Sequence, residues 1–451
     1  MQIISKANKS MLMLLKQFCM SGQSFCWSQY CVHNVVSDGV LVFNLMTREL
    51  VLLTLEEYAK YNELDYLRDH WFVIPENINA KEIADFVKQT LTACQPKPKE
   101  ITDYIIYTTT DCNARCFYCF ERGRSRIPMS CETAEKVVQY IKNHCGSKDV
   151  SICWLGGEPL FNVDVIDIIA DGLRREGINF SSRMISNGYL FDDVLVSRAQ
   201  NSWNLKKIQI TLDGTEKIYN KIKSYIYRNT NPFEIVMNNI DRLLYADIRV
   251  SIRLTMDLYN AEDLQALAAE LAMRFAGKSN VSVYAYHLFK GDTANVDLHS
   301  EEEWEKRIKA MDLLNEILEK NDLRSKVGIP KKIRFNHCMA DSGKSVTILP
   351  DGNLGLCDQC TDSEFFGHLD SNDVDEAVIK SWSERMPEIP ECAECFFFID
   401  CVRLKKCSTS SICYHQFQLE KLKSTKRAML CEYERWLTAS NTAEDDDSVF
   451  C

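Results

Sequence analysis

This sequence predicts an α/β fold built on a partial barrel of parallel strands, and three observations predict it. From Ile101 onward, short apolar runs alternate with stretches of helical periodicity, the pattern of parallel strands joined by helices. The runs at 104–110, 150–155, 183–187, 207–212, 248–255 and 282–288 supply the strands. Residues able to do chemistry stand just after these runs, and ligands gather at the C-terminal strand ends in barrels of this kind.

The first such group follows the strand YIIYTTT. In DCNARCFYCFE, 111–121, the residues Cys112, Cys116 and Cys119 are spaced C-x3-C-x2-C. Thiolates so spaced hold either zinc or an iron–sulfur cluster. Three cysteines leave one iron of a [4Fe–4S] cluster open to a small chelating molecule. After the second strand comes Gly156-Gly157-Glu158-Pro159. Glycines there let backbone come close to a ligand, and a carboxylate can accept from an ammonium. The third strand ends in Ser186-Asn187-Gly188 and the fourth in Asp213-Gly214, where a plain strand-end turn is the other reading. The fifth carries Arg253 in an otherwise apolar run. A buried arginine needs an anion, either a ligand or a structural ion pair.

In this order the motifs resemble those of the radical S-adenosylmethionine (SAM) enzymes. The resemblance implies that Cys112, Cys116 and Cys119 hold a [4Fe–4S] cluster whose open iron takes the amino and carboxylate groups of SAM. It implies Tyr118 near the adenine and Gly156, Gly157 and Glu158 at the SAM amino group. Ser186 and Asn187 would reach the ribose and Arg253 the carboxylate, while Asp213 is common in the peptide-modifying branch. The implied chemistry is reductive cleavage of SAM to a 5′-deoxyadenosyl radical, which takes hydrogen from an unactivated carbon.

The intervening helices follow from periodicity. Cys131–His144 carries Ala134, Val137, Val138 and Ile141 on one face, and Glu262–Phe275 carries Leu264, Leu267, Leu271 and Phe275. Glu301–Lys320 aligns Trp304, Ile308, Met311, Leu314 and Leu318, a core-packing stripe.

A second cysteine field begins at Cys338. After thirteen intervening residues Gly352 opens Gly-x4-Cys357; then come Cys392-x2-Cys395-x5-Cys401, Cys407, Cys413 and Cys431. This resembles the SPASM domain, a C-terminal extension of radical SAM enzymes that holds up to two auxiliary [4Fe–4S] clusters; a zinc ribbon is the alternative. The match departs at Cys407, which stands later than the family's next cysteine. The resemblance gives Cys392, Cys395, Cys401 and Cys431 to an outer cluster and Cys338, Cys357 and Cys407 to an inner one. Cys360, Cys413 or nothing completes the inner set. SAM and three [4Fe–4S] clusters are thus the expected cofactors.

Residues 1–31 look partly helical, and Cys19, Cys26 and Cys31 read as scattered thiols or a metal site. In 38–94, GVLVFNLMTRELVLL gives two strands around a turn near Met46–Arg48, followed by helical LEEYAKYNELDYL and AKEIADFVKQTLTA. This resembles the winged-helix leader-recognition element of enzymes that modify ribosomally made peptides, whose exposed sheet edge accepts a leader strand. A structural cap on the barrel is the alternative.

The expected organisation is 1–100 with a recognition module at about 38–94, a barrel at 101–290, a bridging helix at 291–330, a SPASM domain at 331–438 and an acidic tail at 439–451. With 46% hydrophobic and 26% charged residues the chain reads as globular. A net charge of −11 speaks against nucleic acid or anionic membrane as partner. Met11–Leu15 is too short for a secretory segment, so the 20 cysteines point to metal chemistry in a reducing cytoplasm. The expected function is a peptide maturase forming a sulfur-to-carbon thioether. Its partners would be a leader-bearing precursor and a flavodoxin- or ferredoxin-type reductant. A sulfatase-type formylglycine maturase, another SPASM peptide modification (a carbon–carbon crosslink or an epimerisation) and a pure electron carrier are the alternatives.

Overall fold

The structure is a computed structural model that describes residues 1–18, 24–94, 98–146, 149–288, 301–324, 327–333, 338–360, 364–406 and 418–447. Cys19, Cys407 and Cys413 lie outside the described residues.

Six short strands come first: β1 (Gln2–Ser5), β2 (Phe25–Trp27), β3 (Cys31–Val36), β4 (Gly39–Asn44), β5 (Glu49–Leu53) and β6 (Val73–Pro75). An antiparallel sheet runs in the order β1-β5-β4-β3, and β2 pairs with β6. The β4–β5 hairpin is the strand pair expected around Met46–Arg48. Asn44 shapes its turn, its Oδ1 accepting from the Met46 and Thr47 amides at 2.8 and 3.2 Å. The sheet has four strands because β1 and β3 flank that hairpin. Periodicity does not announce either one, since β1 is four residues long and β3 mixes polar and apolar positions on both faces. The helix Ala80–Ala93 packs Ile83, Ala84 and Val87 inward and is capped by Asn79.

The barrel follows with β7 (Asp103–Tyr107), β8 (Val150–Leu155), β9 (Phe180–Ser186), β10 (Leu205–Leu212), β11 (Arg249–Met256) and β12 (Val281–His287). All six are parallel and stand side by side in chain order. Helices fill each crossover, as right-handed βαβ connection requires. Cys131–His144 shows how one forms. Ser130 Oγ accepts from the Thr133 amide at 3.0 Å, and Lys142 and His144 suit the C-terminal end of the dipole. Val137, Val138 and Ile141 are buried, each contributing about 1.5–3 kcal/mol.

The sheet does not stop at β7. Strand β13 (Ser345–Ile348) pairs parallel to β7, with Val346 opposite Tyr104. Strands β14 (Asn353–Gly355) and β15 (Gly367–His368) then add antiparallel, making nine strands in all. The second cysteine field is thus joined to the barrel by backbone hydrogen bonds. The last helix runs from Gln418 to Asp447, into the stretch expected to be an acidic tail.

The main core fills the barrel and its helices, around Trp154, Trp203 and Tyr104. A separate core joins the N-terminal sheet to the C-terminal region. There Leu41, Phe43, Leu50 and Val87 pack with Phe398, Ile399, Ala428 and Met429.

Candidate active site

Strand β7 delivers the chain into the loop that carries Cys112, Cys116 and Cys119, and the end of β8 holds that loop in place. The Gly157 amide donates to Thr109 O at 3.0 Å and the Glu158 amide to Asp111 O at 2.9 Å. A Cβ on Gly156 (φ +148°) would stand 2.3 Å from Thr109 O, and one on Gly157 2.3 Å from Asp111 O. The glycines are therefore required where two strand ends touch. Their backbone also lines a cavity of about 340 Å³ together with Cys112, Cys116, Cys119, Ser186, Asn187 and Arg253. That volume suits a drug-sized ligand.

Glu158 sits behind the cavity wall, fully buried. Its Oε1 accepts from Ser186 Oγ (2.8 Å) and the Leu160 amide (3.2 Å), and its Oε2 from the Asn187 amide (2.8 Å). Burial pushes its carboxyl up to about 7 against those hydrogen bonds. Glu158 thus clamps the ends of β8 and β9 together. Asn187, fixed this way, donates from Nδ2 to Asn113 Oδ1 at 2.6 Å and lies 3.8 Å from Cys112 Sγ.

Tyr118 and Asp213 meet in a network that the sequence did not disclose. The Tyr118 hydroxyl donates to both Asp213 oxygens at 2.9 Å and also bonds the Cys116 thiol. Lys223 Nζ lies 3.0 Å from Asp213 Oδ2 and donates to the Tyr118 hydroxyl at 3.1 Å. Burial alone would lower the lysine pKa, but Asp213 holds it well above the usual value. Nothing in KIYNKIKSYIY marks Lys223, because its partner lies ten residues away on another element. Glu121 was likewise passed over. It lines the cavity, burial pushes its carboxyl up to about 7, and its Oε1 has no hydrogen-bond partner among the described residues.

Arg253 lies in the cavity wall with its guanidinium 4.4 Å from the Tyr286 ring. Its Nε is buried without a hydrogen-bond partner, and no carboxylate among the described residues pairs with it. A ligand carboxylate would satisfy it. Removing one partner of a hydrogen-bonded charge pair costs roughly 2–5 kcal/mol. Arg253→Met should therefore weaken SAM binding by about tenfold or more without destabilising the ligand-free chain; calorimetry showing wild-type affinity would refute this.

The three loop cysteines share one environment. Burial pushes the Cys112 thiol up to about 12, with Glu158, Cys116 and Cys119 adding to the effect. A bound cation reverses that cost, since metal ligation deprotonates a thiol. No three His, Cys, Asp or Glu side chains among the described residues converge as ligands of one ion. Ligands of a four-iron cluster each take a different iron, so this donor set of three separated soft thiols fits such a cluster.

The second field comes close to the same cavity. Cys338, Cys357 and Cys360 interact electrostatically, and burial foremost raises the Cys357 thiol. The Cys357 amide lies 3.2 Å from Cys360 Sγ. Asp358 and Gln359 line the cavity beside the loop cysteines, the Tyr107 hydroxyl bonds Asp358 O, and Arg124 Nη2 donates to Cys360 O at 3.1 Å. Cys392, Cys395 and Cys401 follow one another through consecutive turns, with Cys392 raising the Cys401 thiol beyond the effect of burial. Cys431 is buried on the last helix.

The parallel half-barrel thus carries a three-cysteine loop over a ligand-sized cavity. Residues 106–271 match the Radical SAM superfamily. That superfamily uses SAM and a [4Fe–4S] cluster, which the loop and cavity fit. The GTP 3′,8-cyclase of Rhodopirellula baltica is 34% identical over 117 residues, 25% of this chain. The chain spans about a third of that relative's length, 31%. An uncharacterised protein of Methanocaldococcus jannaschii is 22% identical over 289 residues, covering 61% of this chain and 92% of that one. Among solved structures, anSMEcpe with bound AdoMet and Kp18Cys peptide superposes with a TM-score of 0.55 at 16% identity. The superposition covers 76% of this chain and 99% of that one, so the shared fold extends well beyond the barrel. No described helix is long and apolar enough to cross a membrane.

Proposed function

We propose that this chain is a radical SAM peptide maturase that joins a cysteine sulfur to a carbon in a ribosomally made precursor peptide. The observation that carries this reading is the placement of Asp358 and Gln359, the two residues between Cys357 and Cys360, on the wall of the cavity, with Cys338 close enough to act on the Cys357 thiol. In this reading it holds an inner auxiliary [4Fe–4S] cluster, and Cys392, Cys395, Cys401 and Cys431 hold an outer one. A flavodoxin- or ferredoxin-type protein is the reductant.

Bound SAM, cleaved reductively, supplies a 5′-deoxyadenosyl radical that takes hydrogen from the substrate carbon. The chain's own residues orient and protect. Arg253 takes the SAM carboxylate, the Gly156–Gly157 backbone faces its amino group, and Asn187 is held by Glu158 to meet the ribose. Tyr286 and Leu288 on the cavity wall exclude water.

A peptide substrate is supported by the fold shared with a peptide-bound protein and by the N-terminal sheet. Strand β3 pairs only with β4, so its outer edge has no strand partner among the described residues. His33, on β3 itself, meets Trp27 and Tyr58 beside it, the three rings lying 4.8–5.6 Å apart, and Val35 of β3 is 75% exposed. A leader could add a strand there and rest side chains on the rings. Cutting the chain near Gln95 is a poor test of this, because it would strip the cover from Phe398 and Ile399.

The test is the product mass. Thioether formation would remove one hydrogen atom from carbon and one proton and one electron from the thiol; auxiliary clusters held by these cysteines would accept the electron. The product should be lighter by two hydrogens, and the cysteine should no longer react with iodoacetamide. Loss of sulfur would instead indicate formylglycine, and an unchanged mass an epimerisation. Cys338→Ala should stop crosslinking while SAM cleavage continues.

A further inference from the structure

Away from the SAM cavity, the N-terminal module grips the segment that carries Cys392, Cys395 and Cys401. Lys88 Nζ donates to Phe398 O and Cys401 O, both at 3.1 Å, and lies 4.0 Å from the Phe398 ring centroid. Arg48, 1% exposed, forms an ion pair with Asp400, the residue before Cys401. Gln29 Nε2 donates to Ala393 O at 3.1 Å, between the first two cysteines. Phe398 and Ile399, 4% and 1% exposed, complete the module's core.

We propose that the N-terminal module is part of the outer auxiliary-cluster site. Lys88 and Arg48 shape the turn that presents Cys401, and that turn closes the module's core. Cluster assembly and the order of the peptide-recognition module therefore depend on each other. This rests on the reading that these cysteines hold a cluster.

Three observations favour coupling over simple packing. Both cations come from the module, and both land on consecutive residues, Asp400 and Cys401. Lys88 Nζ bridges the Phe398 and Cys401 carbonyls at 3.1 Å each, so one cation from the module spans the turn that ends at Cys401. Arg48 also has Nε and Nη1 buried without a partner among the described residues. An unused buried donor costs about 1–3 kcal/mol, a cost that an anionic group at this junction would remove. A [4Fe–4S] cluster on four thiolates is such a group.

The experiment uses the full chain with Cys112, Cys116 and Cys119 replaced by alanine, so that only auxiliary iron is counted. In that background Lys88→Met should lose up to about four irons per chain, and Lys88→Arg should restore them. As a second measurement, Cys392→Ala/Cys395→Ala should speed amide hydrogen exchange in residues 39–53 and 80–93 at least tenfold, leaving β8–β10 unchanged. Full iron in Lys88→Met, or unchanged exchange in the double variant, overturns the proposal. A parent chain without auxiliary iron overturns the cluster reading itself, and that result is visible before Lys88 is touched.

Discussion

Replacing Cys112, Cys116 and Cys119 together with alanine should abolish reductive SAM cleavage while leaving auxiliary iron in place. In the proposed reading each thiolate holds one iron, so three alanines would remove every protein anchor of that cluster. The loop should survive the change. Its path is anchored by the Gly157 and Glu158 amides on Thr109 and Asp111. Burial also means that a thiolate there is costly without a cation, so the metal-free loop gains little from its cysteines. Chromatographic assay of 5′-deoxyadenosine with a chemical reductant decides the matter. Product at the wild-type rate would remove the assignment.

Lys223→Met should destabilise the chain by about 3–5 kcal/mol, the cost of leaving a buried charge without its partner. Both groups are almost fully buried, at 5% and 1% side-chain exposure, so solvent cannot take over the lost interaction. Lys223→Met combined with Asp213→Asn should recover most of the loss, since a neutral amide can still bond the Tyr118 hydroxyl. Urea denaturation of the three variants reads this directly. A loss below about 1 kcal/mol for Lys223→Met, the range of exposed pairs, would mean that the network does not carry the loop.

The barrel was legible because its signals are local. Each parallel strand is a short apolar run between helices of clear period, and Cys131–His144 and Glu301–Lys320 begin and end where periodicity places them. The cavity wall was legible through the same order of motifs, with Gly156, Gly157, Ser186, Asn187 and Arg253 gathered around the three cysteines. Hidden features depend on distant partners. Lys223 gains meaning only from Asp213, and Glu158 only from the donors that Ser186 and Asn187 supply. The union of Phe398 and Ile399 with the N-terminal sheet spans more than three hundred residues, and no periodicity encodes it.

The parallel pairing of β13 with β7 has a consequence for electron movement. Strand β7 ends at the loop of the SAM-site cysteines, and β13 leads through a tight turn and β14 to Cys357. The two cysteine groups therefore hang from neighbouring rungs of one ladder, like two lamps fixed to a single rail, and so would any clusters they hold. Tunnelling falls steeply with distance, and here the gap is set by strand register, which moves only in whole steps. Breathing of surface loops should leave the transfer rate nearly untouched, whereas a register slip of one residue would turn every side chain of β13 to the other face and switch the route off.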